Sequence, residues 1–169
     1  SKREPAYSRD PLKAFLESAG LLYVFLGKEL GARREESECY LDGVARYDLI
    51  EKTSAFADGL DRLRKGSAKY RIALFCAEKD PLTCHRAILV GRLLAAEGYP
   101  MTHLSADGSE EDQESLENRL LQEEGKSSKE IDFESGNLKP REQMLGECYT
   151  ARAESMAYRE NPEDAGVTR

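Results

Sequence analysis

The sequence predicts an α/β fold with a mostly parallel sheet, and three observations carry that expectation. Residues 71–104 read in turn as a short apolar strand ending at Cys76, a polar loop, a helix and a second short strand over residues 101–104. In the helix, Ile88, Leu89, Leu93 and Ala96 fall on one side, and Gly98 follows as a stop signal. Residues 21–26, Leu-Leu-Tyr-Val-Phe-Leu, are almost wholly apolar, as expected of a strand covered on both faces. The stretches between these strands are long enough for helical crossovers, so the three strands are expected to be parallel neighbours.

The remaining elements follow from local signals. Asp10-Pro11 starts a helix, with a carboxylate at the N-cap and proline at the first helical position; Leu12, Phe15 and Leu16 give it a buried side and Gly20 ends it. Residues 28–39 form a charged loop. Asp42-Gly43 is a turn signal for a small hairpin within residues 40–47. Ser54 caps a helix to about Lys65 with Phe56, Leu60 and Leu63 inward. Residues 109–124 form an acidic helix whose first-turn carboxylates suit the helix dipole, with a narrow stripe of Leu116, Leu120 and Leu121; a solvated face is the plainer reading of its acids. A second helix covers residues 140–159, with Met144, Leu145, Cys148, Tyr149 and Met156 at helical spacing, and residues 161–169 form a frayed tail. The whole chain, residues 1–169, reads as one α/β domain.

Composition narrows the function classes. The 169 residues carry a net charge of −7, which argues against non-specific nucleic-acid binding through the whole surface. No apolar run approaches the ~18 residues of a membrane span. The N-terminus shows no signal-peptide pattern, and it starts at Ser1 without an initiator methionine, so a trimmed or partial chain is expected. Four cysteines are too sparse for a disulfide scaffold and fit a reduced, cytoplasmic setting.

The chemistry concentrates in residues 76–86. In open α/β sheets ligands bind beyond the carboxyl ends of the strands. Here that edge carries Cys76, Glu78, Asp80, Cys84, His85 and Arg86. Cys84 lies at a helix start with arginine close in sequence, which favours the thiolate, whereas Cys76 at the end of an apolar strand is expected to be the less exposed and less reactive thiol. His85 is adjacent to Cys84, but neighbours on a helix point about 100° apart, so it is expected to face a ligand and not to bond the thiol. Glu78 supplies an acid or base. The plainer alternative is a capped loop with two packing thiols. A cysteine-phosphatase loop is excluded, because the arginine position is Leu82 counted from Cys76 and Val90 counted from Cys84. A metal site is not expected either: Cys76, Cys84 and His85, with distant Cys39 or Cys148, match no zinc knuckle, and adjacent ligands are awkward on a helix. No cofactor is named by the sequence.

The segment Cys76-Ala77-Glu78-Lys79-Asp80-Pro81-Leu82-Thr83-Cys84-His85-Arg86 resembles the C-A-E-x-x-P-x-x-C-H-R signature of the domain-of-unknown-function-488 family. Pro5-Ala6-Tyr7-Ser8-Arg9 is similar to its P-Y-S-R segment with Ala6 inserted. Tyr23 to Leu26 followed by Leu30-Gly31-Ala32-Arg33 is similar to its Y-x-x-L…L-G-G-R, with Ala32 for the second glycine, and residues 152–159 are like its closing helix. The resemblance implies a three-layer α/β/α sandwich, here N-terminally truncated, since the family's opening strand and D-V-R strand are not found. It implies no settled activity. It also groups Tyr7, Ser8, Arg9, Gly31 and Arg33 with the Cys76–Arg86 loop as strand-to-helix connections of one sheet edge. Such a set suits an anionic small molecule, a nucleotide or a nucleic-acid backbone. The expected function is therefore an enzyme acting on a phosphate-bearing or nucleotide-related ligand, with Cys84, His85 and Glu78 catalytic and Tyr7, Ser8, Arg9, Gly31, Arg33, Cys76 and Arg86 binding. The alternative is a non-catalytic ligand-binding or interaction module that uses the same pocket.

Overall fold

The computed structural model describes residues 5–127, 130–132 and 136–160, so the expected tail over 161–169 lies outside the described residues. A 3-10 turn, Pro5–Tyr7, leads into helix α1 (Arg9–Ser18). Its N-cap is Ser8, two residues ahead of the expected Asp10. Gly20, at φ +75°, turns the chain out of the helix. Leu12 and Leu16 are half-buried, but Phe15 is 69% exposed and does not join the core.

Residues 21–26, in neither helix nor strand, lead to a single helical turn, α2 (Gly27–Leu30). Strands β1 (Tyr40–Leu41) and β2 (Val44–Ala45) then form the hairpin that Asp42-Gly43 signals. Both turn residues have positive φ, 51° and 72°, as a two-residue primed turn requires. Backbone bonds from Ala45 N–H to Tyr158 O and from Glu160 N–H to Gly43 O lay the end of the described chain against the hairpin.

Helix α3 (Tyr47–Ile50) precedes α4 (Ser54–Ser67), whose N-cap is Thr53: its hydroxyl oxygen accepts the Phe56 N–H at 3.2 Å. Residues 71–76, likewise in neither helix nor strand, and the loop 77–84 lead to a helix that opens at His85. It is π-helical over Arg86–Gly91 and α-helical in α5 (Arg92–Ala96). Strands β3 (Thr102–Leu104) and β4 (Glu110–Asp112) pair next. Helix α6 (Gln113–Glu123) is capped by the Asp112 carboxylate on Ser115 N–H, and α7 (Arg141–Met156) completes the helices.

The expected sandwich is overturned. Among the described residues the only sheets are the antiparallel pairs β1–β2 and β3–β4. Residues 21–26 and 71–76 form neither helix nor strand, and residues 102–104 pair with an antiparallel neighbour, not with parallel strands. Nor are the two stretches covered on both faces. Leu22 is 79% exposed and Phe75 59%, while only Tyr23, Leu26, Leu74 and Cys76 are half-buried. An apolar run makes an extended chain favourable wherever one side meets a core, and that does not require strands on either side.

The core is helical. Ile50, Phe56, Leu60 and Leu63 of α3 and α4 meet Leu82, Ile88, Leu89 and Leu94, and the far side is closed by Leu116 and Leu120 of α6 with Cys148 and Tyr149 of α7. Each such side chain contributes roughly 1.5–3 kcal/mol on burial. No helix among the described residues is long and apolar enough to cross a membrane.

Ion pairs tie the last third together, so the acids of residues 110–124 are not simply solvated. Arg152 binds Glu123 and Glu124 at 3.0 and 2.7 Å. Lys126 and Lys139 each reach both Glu130 and Glu147, within 3.0–3.2 Å. The lysines hold both carboxyls below their usual value. A depressed carboxyl contributes stability above its unfolded value and loses it as pH falls through the folded value. The melting temperature is therefore expected to drop in acid below about pH 4.3, and to drop less in a Glu130→Gln/Glu147→Gln double variant followed by circular dichroism.

Gly59 in α4 is the point of closest helix approach. A Cβ there would stand 2.7 Å from Leu30 Cδ2 and 2.8 Å from Glu29 Cβ, and Leu30 is buried and cannot swing aside. Gly59→Ala is expected to lose about 1–2 kcal/mol, with overpacking exceeding the ~1 kcal/mol of gained helix propensity. Chemical denaturation measures this directly, and an unchanged or raised midpoint would contradict the packing.

Candidate functional site

The loop between residues 71–76 and the π-helix is held by three contacts. Asp80 starts a 3-10 turn, Pro81–Thr83, in which its carboxylate accepts the Leu82 N–H at 3.0 Å and proline takes the first position. Arg119 of α6 grips the same carboxylate with two N–H groups, at 3.0 and 3.3 Å. Arg86 donates to the carbonyls of Glu78 and Lys79, both at 3.0 Å, and so ties the loop to the helix.

Cys84 follows the 3-10 turn with an extended backbone, φ −129° and ψ 134°, and His85 begins the helix at φ −59° and ψ −22°. The two neighbours are thus not successive helical residues, and the angular separation expected between them does not apply. Ligand atoms from Cys76, Glu78, Cys84 and His85 all lie within 4.8 Å of one another. Cys76 Sγ donates to Glu78 Oε2 at 2.6 Å and sits 3.6 Å from His85 Nδ1. Cys84 Sγ lies 3.9 Å from the same Glu78 oxygen and accepts the Arg86 backbone N–H at 3.4 Å.

The charges sort accordingly. The hydrogen bond from Cys76 holds the Cys84 thiol below its ordinary value against the opposing effect of burial, and the Arg86 N–H and guanidinium add to it. The same contact, with burial, pushes Cys76 well up, so the two thiols shift in opposite directions. Burial alone would raise Glu78, but the Cys76 thiol, its own backbone N–H and the charges of His85 and Arg86 together hold it down. Burial, with a smaller electrostatic contribution from the Cys84, Cys76 and Glu78 groups, pushes the Tyr47 hydroxyl up, which puts Tyr47 in the same neighbourhood.

Exposure reverses the expected order of the thiols. Cys84 is fully buried and Cys76 half-buried, because residues 71–76 lie at the surface and not inside a sheet. Glu78 is the exposed member and His85 is half-buried. The model described as "Domain of unknown function DUF488" matches residues 1–93, more than half of the chain. The chain belongs to the DUF488 family. No curated protein and no solved structure matches it. The DUF488 match includes the whole loop and ends inside α5.

The other expected site residues are placed less uniformly. Tyr7 packs edge-on against Phe75, ring centroids 5.3 Å apart, beside Cys76 in sequence. Arg9 lies over the Phe25 ring at 4.8 Å, and Ser8 caps α1 between them. Arg33 stacks on Tyr158 at 4.0 Å, and no contact of its own joins it to the thiols. Its buried neighbour Arg34 does the structural work there, donating to the Lys28 and Glu29 carbonyls and to Glu36. Gly31 ends α2, where a Cβ would run into the Gly27 carbonyl. A concavity of about 560 Å³ is lined by Lys79, Asp80, Ser105, Glu111 and Arg119 and not by the thiols. Sequence reasoning missed Tyr47 and Arg119. Arg119 left a signal as the only cation of α6, whereas Tyr47 left none.

With reduced protein and limiting iodoacetamide, Cys76 is expected to be labelled before Cys84, whose burial blocks attack whatever its charge. Mass spectrometry assigns each site. Faster labelling of Cys84 in the folded protein would contradict the burial.

Proposed function

We propose that this DUF488 protein is a cytoplasmic enzyme acting on a phosphate-bearing or nucleotide-related small molecule, with Cys76, Glu78, Cys84 and His85 as its reactive centre. The observation that carries the reading is the convergence of two thiols, a carboxylate and an imidazole within 4.8 Å on one loop, with Glu78 exposed. Such a set can take up and return protons at the mouth of the site. Glu78, ionised and reaching both sulfurs, serves as general base. His85 orients or protonates the ligand. Arg9, whose guanidinium lies over the Phe25 ring, meets the anionic end of the ligand, and Tyr7 borders it beside Cys76. Four free cysteines support the reducing compartment.

The non-catalytic reading is favoured by one observation, the complete burial of Cys84, which removes it as a nucleophile. Thermal shift with AMP, ATP and inorganic phosphate in the presence of chelator, combined with chromatographic assay of product, separates the two. A ligand at a hundred times its Kd stabilises by about 2.7 kcal/mol. Wild type is expected to shift and Arg9→Gln to lose most of the shift. Glu78→Gln is expected to keep the shift while turnover falls about 10²–10⁴-fold. A shift without turnover makes the domain a binding module. No shift with any of these compounds sinks both readings.

A further inference from the structure

We infer that Cys76, Cys84 and His85 hold a zinc-class divalent cation, with Glu78 as the fourth, exchangeable ligand on the open side. The inference rests on the same cluster being the working centre but goes beyond that reading. Sulfur bound to zinc at about 2.3 Å and nitrogen or oxygen at about 2.0–2.2 Å in a tetrahedron stand about 3.3–3.8 Å from each other. The 3.6 Å between Cys76 Sγ and His85 Nδ1 and the 3.9 Å between Cys84 Sγ and Glu78 Oε2 already approach that spacing. The shorter 2.6 Å between Cys76 and Glu78 opens by rotation of Glu78, the one exposed side chain of the four.

The donor set also selects the metal. Two thiolates and an imidazole are borderline-soft ligands that suit zinc and discriminate against magnesium or calcium. On binding, the thiol protons leave to solvent and both sulfurs coordinate as thiolates. The Arg86 N–H to Cys84 Sγ, at 3.4 Å, remains as an outer bond that moderates the sulfur charge. Adjacent ligands at 84 and 85 converge because only His85 is helical. The burial of Cys84, which counts against a nucleophile, is no obstacle to a ligand. Three firm protein ligands and one displaceable position are the arrangement of catalytic zinc sites, not of closed structural ones. Among the described residues no other group of three or more such donors converges.

Cobalt(II) titration of the reduced, full-length chain in buffer free of phosphate and chelator tests this. One equivalent is expected to bind with thiolate-to-cobalt charge transfer in the near ultraviolet and intense tetrahedral ligand-field bands, and zinc(II) should bleach both. Cys76→Ser and Cys84→Ser should each weaken the charge-transfer band, whereas Cys148→Ser should leave it intact. Should the thiol variants fail to fold by circular dichroism, two others decide. Glu78→Gln is expected to keep the charge transfer while changing the ligand-field bands, and His85→Gln to weaken binding about tenfold or more. Absence of charge transfer in the wild type, or wild-type spectra and affinity in both Glu78→Gln and His85→Gln, would overturn the site. Failure here leaves the chelator-treated nucleotide assay intact, and failure of that assay leaves the cobalt spectra intact, so the two ideas fall separately.

Discussion

Cys84 is extended while the residues before it form a 3-10 turn and the residue after it begins a helix. The convergence of the site depends on this change of backbone direction. Were Cys84 the first helical residue, its side chain and that of His85 would diverge by about 100°, and the sulfur could not share a centre with the imidazole. Because it is extended, the thiol turns down into the core while the ring stays at the rim. The 3-10 turn sets that conformation, and the Asp80 carboxylate sets the turn.

That carboxylate is also where the two parts of the chain are joined. Asp80 belongs to the segment matched by the family, and Arg119 lies beyond it, in the acidic helix. Arg119 further binds Glu111 and Glu123, so the cation that fixes the loop is itself fixed by β4 and α6. Charged hydrogen bonds of this kind are directional as well as attractive. The last third of the chain is thus part of the support of the site and not an appendage to it.

The sequence showed where the chemistry is more clearly than it showed the architecture. Two N-caps fall ahead of the residues expected, on Thr53 for Ser54 and on Ser8 for Asp10, whereas the Asp42-Gly43 turn closes its hairpin because that effect is local and needs only neighbouring atoms. The grouping of Cys76, Glu78, Cys84 and His85 was legible for the same reason: ten residues and one turn contain it. The sheet was not. An apolar stretch such as residues 21–26 reports that an extended chain can rest on a core, but its composition is the same whether or not another strand lies beside it. Nor does periodicity say which of two adjacent arginines enters the protein, so attention fell on Arg33 when Arg34 is the buried one. The relative exposure of the thiols was inverted along with the sheet, since Cys76 was placed by a strand that does not pair.

The π-helical stretch Arg86–Gly91 looks chemically plain, a run of small and aliphatic side chains, yet its length is constrained. Its wide turn, with Arg92 N–H reaching back to Ala87 O, accommodates one residue more than an α-turn. Removing any one residue would let the helix relax to α geometry, but the part before it and the part after it would then rotate by about 100° relative to each other. Either His85 would leave the thiols or Leu94 would leave the core. Relatives are therefore expected to keep the residue count between positions 87 and 90, where all four side chains are buried, and gaps in this stretch would mark chains in which the site has been lost.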